Sequence, residues 1–154
     1  MKRIAAMEPL SHQHHNALMG CLLIKKGIQK NADKKILKDF AQRLWTEDIQ
    51  QHIKAEEQFV LPYVARLNNQ LNTIVKRDHE TIRLLADRIS VHDDGYTLFN
   101  VFASLLEQHI RFEERIVFNK IQDNLSDVEL NKLKTDLAGL HSRKCSDYPV
   151  KFWE

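Results

Sequence analysis

Apolar residues recur three to four positions apart along most of the chain, a spacing typical of amphipathic α-helices. The periodic stretches are interrupted at Asn31-Ala32-Asp33, at Asn68-Asn69 and at His92-Asp93-Asp94-Gly95. The pattern therefore predicts four long helices, over about residues 9–30, 34–67, 70–90 and 96–124. Ser126 followed by Glu129 matches a capping box, which predicts a shorter fifth helix that ends near residue 140.

One apolar stripe on each long helix is predicted to face the interior. The stripes consist of Leu18, Cys21, Leu22 and Ile28; Leu37, Phe40, Leu44, Phe59 and Tyr63; Leu71, Val75, Ile82, Leu85 and Ile89; and Leu98, Phe102, Leu105, Phe112 and Ile116. Asp33 is predicted to cap the second helix, and Pro62 to kink it or end it early. Long helices joined by short links predict an all-α, up-down-up-down four-helix bundle with a short extra C-terminal helix. We expect a single domain over residues 1–154, with the bundle core at about 9–125 and the short helix and tail at 126–154.

Composition and charge narrow the class of protein. Of the 154 residues, 43% are hydrophobic and 29% charged, an ordinary globular balance. The formal net charge of +2 favours neither nucleic acid nor an anionic membrane as a partner. No run approaches the roughly 18 uncharged residues of a membrane span, and the first residues do not form a signal peptide. We therefore expect a cytoplasmic protein.

The chain contains an internal repeat rich in histidine and glutamate. Residues 52–62 read HIKAEEQFVLP and residues 109–119 read HIRFEERIVFN, so that five of eleven positions are identical. A weaker match joins His15 on the first helix to His79 on the third. The protein is therefore predicted to consist of two helical hairpins related by duplication.

Six polar side chains are predicted to point into the bundle core. In H-x-x-x-E the histidine and the glutamate are one turn apart and share a face of the helix. The six residues are His15, His52, Glu56, His79, His109 and Glu113. Buried carboxylates need partners, and no Lys or Arg lies on these stripes at that level. Four imidazoles and two carboxylates can hold two metal ions, with the carboxylates as bridges.

The alternative interpretation is purely structural. A single core-facing histidine is more often a hydrogen-bonded structural residue than a metal ligand. Two copies of the element, together with a histidine on each remaining helix, favour metal binding over packing alone. Glu57 and Glu114 lie about 100° around the helix from the inner glutamates and are predicted to be solvated.

The assembled pattern resembles the hemerythrin-like family, also described as HHE cation-binding domains. The resemblance covers about residues 9–125 and rests on four segments, His14-His15, 52–59, His79-Glu80 and HIRFEE at 109–114. It implies metal ligands at His15, His52, Glu56, His79, His109 and Glu113. It also implies two iron ions bridged by the two glutamates and by an oxo, hydroxo or water ligand. Zinc and manganese suit the same ligand types.

The chain departs from the oxygen-carrying members of that family at Val75. Those members have a second histidine there, one turn before the helix-three ligand. The missing ligand leaves an open coordination position for water, for an exogenous molecule or for a substitute side chain. We expect Val75→His to fill this position and to weaken azide binding. His12 and His14 are the nearest substitutes and are not expected to serve, because His14 lies about 100° from His15.

The resemblance implies a non-haem di-iron, or di-metal, protein that binds or senses dioxygen or a related small ligand, or iron or redox state. Two alternatives stay open: a di-iron enzyme with oxidase, peroxidase-like or nitric-oxide-handling activity, and a helical module with a structural metal. Binding or sensing is favoured, and no catalytic residue is assigned, because no further acid–base group is recognisable near the site. A small ligand such as dioxygen is the expected partner, without nucleic acid or membrane, and a homodimer is left open.

Overall fold

The computed structural model of the protein describes residues 3–91 and 95–154, and within them the chain forms five helices, a single 3-10 turn at Cys145–Asp147 and no strand. Helix α1 spans Glu8–Gln29, α2 spans residues 34–67, α3 spans Asn69–Val91, α4 spans residues 96–124 and the short α5 spans Asp127–Leu137. The first four form the predicted all-α bundle. Of the predicted loop His92-Asp93-Asp94-Gly95, the first three residues lie outside the described residues.

Side-chain caps begin α2 and α5 where the sequence predicts them. The Asp33 carboxylate accepts hydrogen bonds from the backbone N–H groups of Lys35 and Ile36 at 2.8 and 3.3 Å. Ser126 and Glu129 form the reciprocal capping box of α5. These bonds satisfy backbone donors that would otherwise lack partners in the first turn of a helix.

Helices α2 and α4 each contain a π-helical turn at an equivalent point of the repeat. The segments of α2 are Lys34–Arg43, a π turn at Leu44–Ile49, Gln50–Ala55, a second π turn at Glu56–Val60 and Leu61–Leu67. The segments of α4 are Tyr96–Phe112, a π turn at Glu113–Val117 and Phe118–Asn124. In each repeated turn a backbone N–H donates to the carbonyl five residues earlier, from Leu61 to Glu56 and from Phe118 to Glu113.

Of the kink or early end predicted at Pro62, the early end is wrong, and the π turn of α2 explains why. The helix continues to Leu67, because Pro62 is at the beginning of the segment Leu61–Leu67, directly after the π turn. A proline is tolerated in the first turn of a helical segment because the N–H that it lacks has no required partner there. The irregularity of α2 lies in the π turn that precedes the proline.

A layer of buried polar residues divides the apolar core into two clusters. The first, which we call the Phe102 cluster, includes Ala17, Cys21, Leu44, Ile53, Ile82, Phe102, Leu106 and Ile110. The second, which we call the Phe118 cluster, includes Met7, Leu10, Val60, Val75, Val117, Phe118 and Ile121. Each long helix contributes to both clusters, so that one short polar stretch of each helix lies at the level between them.

Two predicted stripe residues face outward. Leu22 is 46% exposed and Ile116 is 48% exposed. In α4 the π turn adds one residue to the turn after Glu113, so that Val117 takes the inner position predicted for Ile116. The inner face of α1 is displaced from the predicted one and consists of Leu10, His14, Ala17, Cys21 and Ile24.

The C-terminal segment after α5 packs against the Phe102 cluster. Phe152 contacts Phe40 edge to face, with ring centroids 5.0 Å apart. Cys145 is buried, and its backbone N–H donates to Asn16 Oδ1 at 2.7 Å. Among the described helices, none is long and apolar enough to cross a membrane.

Candidate metal centre

Six buried side chains from the four long helices converge between the two apolar clusters. They are His14, His52, Glu56, His79, His109 and Glu113, none more than 7% exposed. One atom from each of His14, His52, Glu56 and Glu113 forms a group within 4.8 Å, and Glu56, His79, His109 and Glu113 form a second such group. Because both groups contain Glu56 and Glu113, the geometry consists of two adjoining four-residue positions that share their carboxylates.

Each shared glutamate approaches one histidine from each position. Glu56 Oε1 lies 3.2 Å from His52 Nε2 and 3.3 Å from His79 Nε2. Glu113 Oε1 lies 3.3 Å from His14 Nε2 and 2.8 Å from His109 Nε2. These contacts place the carboxylates between the two positions, where bridging ligands would lie.

The structure does not bring His15 into this cluster. His15 is exposed, whereas His14 is 2% exposed and occupies the place predicted for His15. The predicted orientation of these two residues is therefore wrong. The physical reason is that Leu10 and Ala17, on the side of α1 that carries His14, are the residues buried against the bundle.

Each of the four histidines makes a hydrogen bond through Nδ1, the ring nitrogen that faces away from the centre. The acceptors are Glu114 for His14 at 3.0 Å, Gln13 for His52 at 2.7 Å, Glu57 for His79 at 2.9 Å and Asp78 for His109 at 2.9 Å. An oxygen acceptor at Nδ1 favours the tautomer that carries its proton there, so the Nε2 lone pair faces the centre. This arrangement is typical of metal-ligating histidine.

With the histidine protons at Nδ1, most of the atoms that face the centre lack hydrogen-bond partners. Both carboxylate oxygens of Glu56, Oε1 of Glu113 and Nε2 of His79 and His109 are buried and unpaired. Unpaired buried polar atoms cost several kcal/mol in an apolar interior. Convergent imidazole nitrogens and carboxylate oxygens are donors that suit iron, zinc and manganese, so the residues fit a pair of such cations.

Without metal, protons supply the positive charge of the centre. The pKa of His14 is raised to about 9 and that of His109 to about 10, and the pKa of His79 is also raised. Burial alone would lower these pKa values, but the hydrogen bonds and charges of the carboxylates outweigh it. The pKa of Glu113 is held well below its usual range, against the effect of burial, chiefly by the charge of His109. A metal ion therefore has to displace protons from the histidines.

Glu57 and Glu114, predicted to be solvated, instead support the histidines of neighbouring helices. Glu57 accepts from His79 Nδ1 and, at 2.6 Å, from Arg83. Glu114 accepts from His14 Nδ1 and from Ser11 Oγ. A residue about 100° from the inner face of a helix lies at the contact with the adjacent helix. The signal in the sequence is that both glutamates recur at equivalent positions of the repeat.

A cavity of about 220 Å³ adjoins the centre on the side of the Phe102 cluster. It is lined by five of the six converging residues, by apolar side chains and by the segment after α5. The apolar lining from the bundle consists of Ala17, Ile49, Ile53, Ile82, Leu106 and Ile110. Among the polar lining residues, Arg143 pairs with Asp48 at 2.8 Å, and the Gln13 side chain donates to the His141 carbonyl at 2.8 Å. A small molecule in this cavity would lie against the centre.

Val75 does not line this cavity. Its side chain is fully buried in the Phe118 cluster, on the other side of the polar layer. The cavity thus lies on the opposite side of the donor layer from Val75, the residue beside which the sequence predicts an open coordination position.

The fold and this site together define a class, the helical bundles with a buried histidine–carboxylate centre for cations. Comparison with protein families agrees with that class. The chain belongs to the hemerythrin HHE cation-binding domain family, whose model matches residues 6–121. Neither the curated proteins nor the solved structures yielded a match to this chain.

Proposed function

We propose that the protein is a non-haem di-iron binding protein that binds or senses dioxygen or a related small ligand, or iron or redox state. Membership of a cation-binding family supports the coarser part of this proposal. The ligands would be His14, His52, Glu56, His79, His109 and Glu113. Iron held by imidazole and carboxylate would supply redox chemistry and affinity for small ligands.

The observation that carries the proposal is the pair of shared carboxylates. Glu56 and Glu113 belong to both four-residue groups, and their inward oxygens lack hydrogen-bond partners. A mononuclear structural site needs only one such group. The duplicated arrangement supports a dinuclear centre.

The cavity beside the centre favours one second candidate, a di-iron enzyme with oxidase, peroxidase-like or nitric-oxide-handling activity. Its apolar lining would exclude bulk water, and its position against His14 and His52 would bring a small substrate to the metals. Turnover of peroxide or nitric oxide by the iron-loaded protein would select this candidate. Ligand binding without turnover would select the first.

Metal content tests the proposal. Protein isolated from its native host without chelator is expected to contain close to two iron ions per chain, with an optical spectrum that changes on exposure to oxygen. His109→Ala removes a donor of one position and is expected to lower the iron content. His12→Ala is the control, because His12 is exposed and outside the cluster. Iron content near zero in the wild-type preparation would contradict the proposal.

A further inference from the structure

The hydrogen-bond acceptors at Nδ1 of the four histidines occupy equivalent places in the two halves of the repeat. At one of these places the charge of the acceptor differs between the halves. Gln13 directly precedes His14 in α1 and accepts from His52 at 2.7 Å. Asp78 directly precedes His79 in α3 and accepts from the equivalent histidine of α4 at 2.9 Å. Equivalent places in the two halves therefore hold a neutral amide and a carboxylate.

The remaining two acceptors are matched in charge. Glu57 and Glu114 are both carboxylates, and each has an arginine beside it. Arg83 lies 2.6 Å from Glu57, and Arg3 lies 3.7 Å from Glu114. The charge of the Nδ1 acceptors therefore differs between the two positions of the centre chiefly at Gln13 and Asp78.

A second contact determines which end of the Gln13 amide faces the histidine. Its Nε2 donates to the His141 carbonyl at 2.8 Å, and a carbonyl can only accept. Oε1 is consequently the atom that accepts from His52. A neutral amide oxygen is a weaker partner for an imidazole N–H than a carboxylate. A carboxylate in this place makes the histidine a more basic metal ligand, and such outer partners typically change metal affinity 10- to 100-fold.

On the basis of the proposed two-metal site, we propose that Gln13 and Asp78 make the two positions unequal. A divalent cation fills the position of His79 and His109 first and binds there about 10- to 100-fold more tightly. The position of His14 and His52 holds the more readily exchanged ion. Both of these histidines line the cavity, whereas of His79 and His109 only His109 does, so the position of His14 and His52 is the more open to the cavity. Gln13 and Asp78 are positioning residues that act through the histidines they hold.

Stepwise cobalt binding to the full chain tests this inference. Metal-free protein is titrated with Co²⁺ in competition with a chromogenic chelator, and the cobalt absorption bands report the occupied positions. His52→Ala and His109→Ala assign each step to a position. Gln13→Glu is expected to tighten the weaker step, and Asp78→Asn to weaken the tighter step, each about 10- to 100-fold. Disruption of the structure would weaken metal binding, so a gain in affinity in Gln13→Glu would come from the added charge.

Gln58→Glu is the matched control for added charge. Gln58 is exposed on α2, lies outside the cavity lining and is not an acceptor for any of the four histidines. It is expected to leave both steps unchanged. Two bound cations repel each other, so two separate steps in the wild type do not by themselves support the inference. The shifts of the binding steps in Gln13→Glu and Asp78→Asn therefore test the inference. If Gln13→Glu disturbs the contact with His141, the shift in Asp78→Asn alone is the test.

The two levels of the proposal fail in different ways. If two cobalt ions bind and neither variant shifts its step, the inequality is overturned while the two-metal site stands. If the tighter step is lost in His52→Ala and kept in His109→Ala, the order of filling is overturned. If the wild type binds no cobalt, the proposed function fails together with this inference.

Discussion

His14 and His52 face each other with their Nε2 atoms 2.9 Å apart. Both rings are held by acceptors at Nδ1, so in the neutral form two nitrogen lone pairs would point at each other. A proton or a metal ion between them relieves this repulsion. Protons and metal ions therefore compete for the same place.

This competition predicts opposite pH dependences for the metal-free and metal-loaded proteins. The folded-state pKa values of about 9 for His14 and about 10 for His109 lie above the ordinary 6.5. Proton binding therefore stabilises the metal-free fold fully below about pH 6.5, and this stabilisation is lost as the pH rises through about 9 to 10. Metal affinity should increase over the same range, because fewer protons have to be displaced.

Thermal melts across that pH range measure both effects. The melting temperature of metal-free protein is expected to fall as the pH rises, while the increase produced by zinc grows. A metal-free melting temperature that does not change over the range would contradict the assigned pKa values.

A second prediction separates the two adjacent histidines of α1. His14→Ala removes a donor of the cluster and is expected to lower the bound metal and the melting temperature of the loaded protein, since bound metal stabilises by mass action. His15→Ala is the matched control, because the same change is made at an exposed position. Metal analysis of the two variants in parallel is the measurement. Metal loss in His15→Ala alone would restore the orientation predicted from the sequence.

The helices could be predicted from the sequence because their signals are local. The apolar period and the caps at Asp33 and Ser126 depend on neighbouring residues, and both caps are confirmed. The π turns could not be predicted in this way. One extra residue in a turn changes the hydrogen bonding without a distinct composition, and that residue moves Val117 inward in place of Ile116.

The candidate site was predictable within helices and less so between them. Each H-x-x-x-E pair lies on one face of its helix, so the four residues of α2 and α4 were placed correctly without knowledge of the packing. Helix α1 offers two apolar sides, one with Leu18 and Leu22 and one with Leu10 and Ala17. Only the packing of the bundle shows that the second side, and with it His14, is buried.

The cavity supplies a third prediction. Leu106 is 2% exposed and lines the cavity, so Leu106→Phe is expected to fill part of it. Azide binding to the iron-loaded protein should become slower and weaker while the iron content is retained. Charge-transfer absorption monitors the binding. Leu84→Phe makes the same change at a 60% exposed position and serves as the control. Unchanged azide binding in fully loaded Leu106→Phe protein would mean that the ligand reaches the metals by another path.

A fourth prediction concerns Arg143, which ties the segment after α5 to α2 at the cavity lining. Arg143 pairs with Asp48 and, at 2.5 Å, with Glu47. Asp48 is only 12% exposed and accepts from the guanidinium with both carboxylate oxygens, so this pair is stronger than an ordinary surface pair and Arg143→Ala should lower the melting temperature modestly. It should accelerate the removal of bound metal by a chelator, because the segment after α5 that lines the cavity is then held less tightly. Arg66→Ala removes an ion pair with Glu129 away from the cavity and should leave the removal rate unchanged.

The last prediction returns to Val75, beside which the sequence predicts an open coordination position. Val75 is fully buried among apolar neighbours, and the cavity lies on the other side of the donor layer. Enlarging a packed core residue costs about 1–3 kcal/mol, so Val75→His should lower the melting temperature of the metal-free protein. Azide affinity should stay unchanged, since the cavity beside His14 and His52 remains open. Spectroscopic titration of the iron-loaded variant checks this. If Val75→His weakens azide binding and Leu106→Phe does not, the open position lies beside Val75, as the sequence alone predicts.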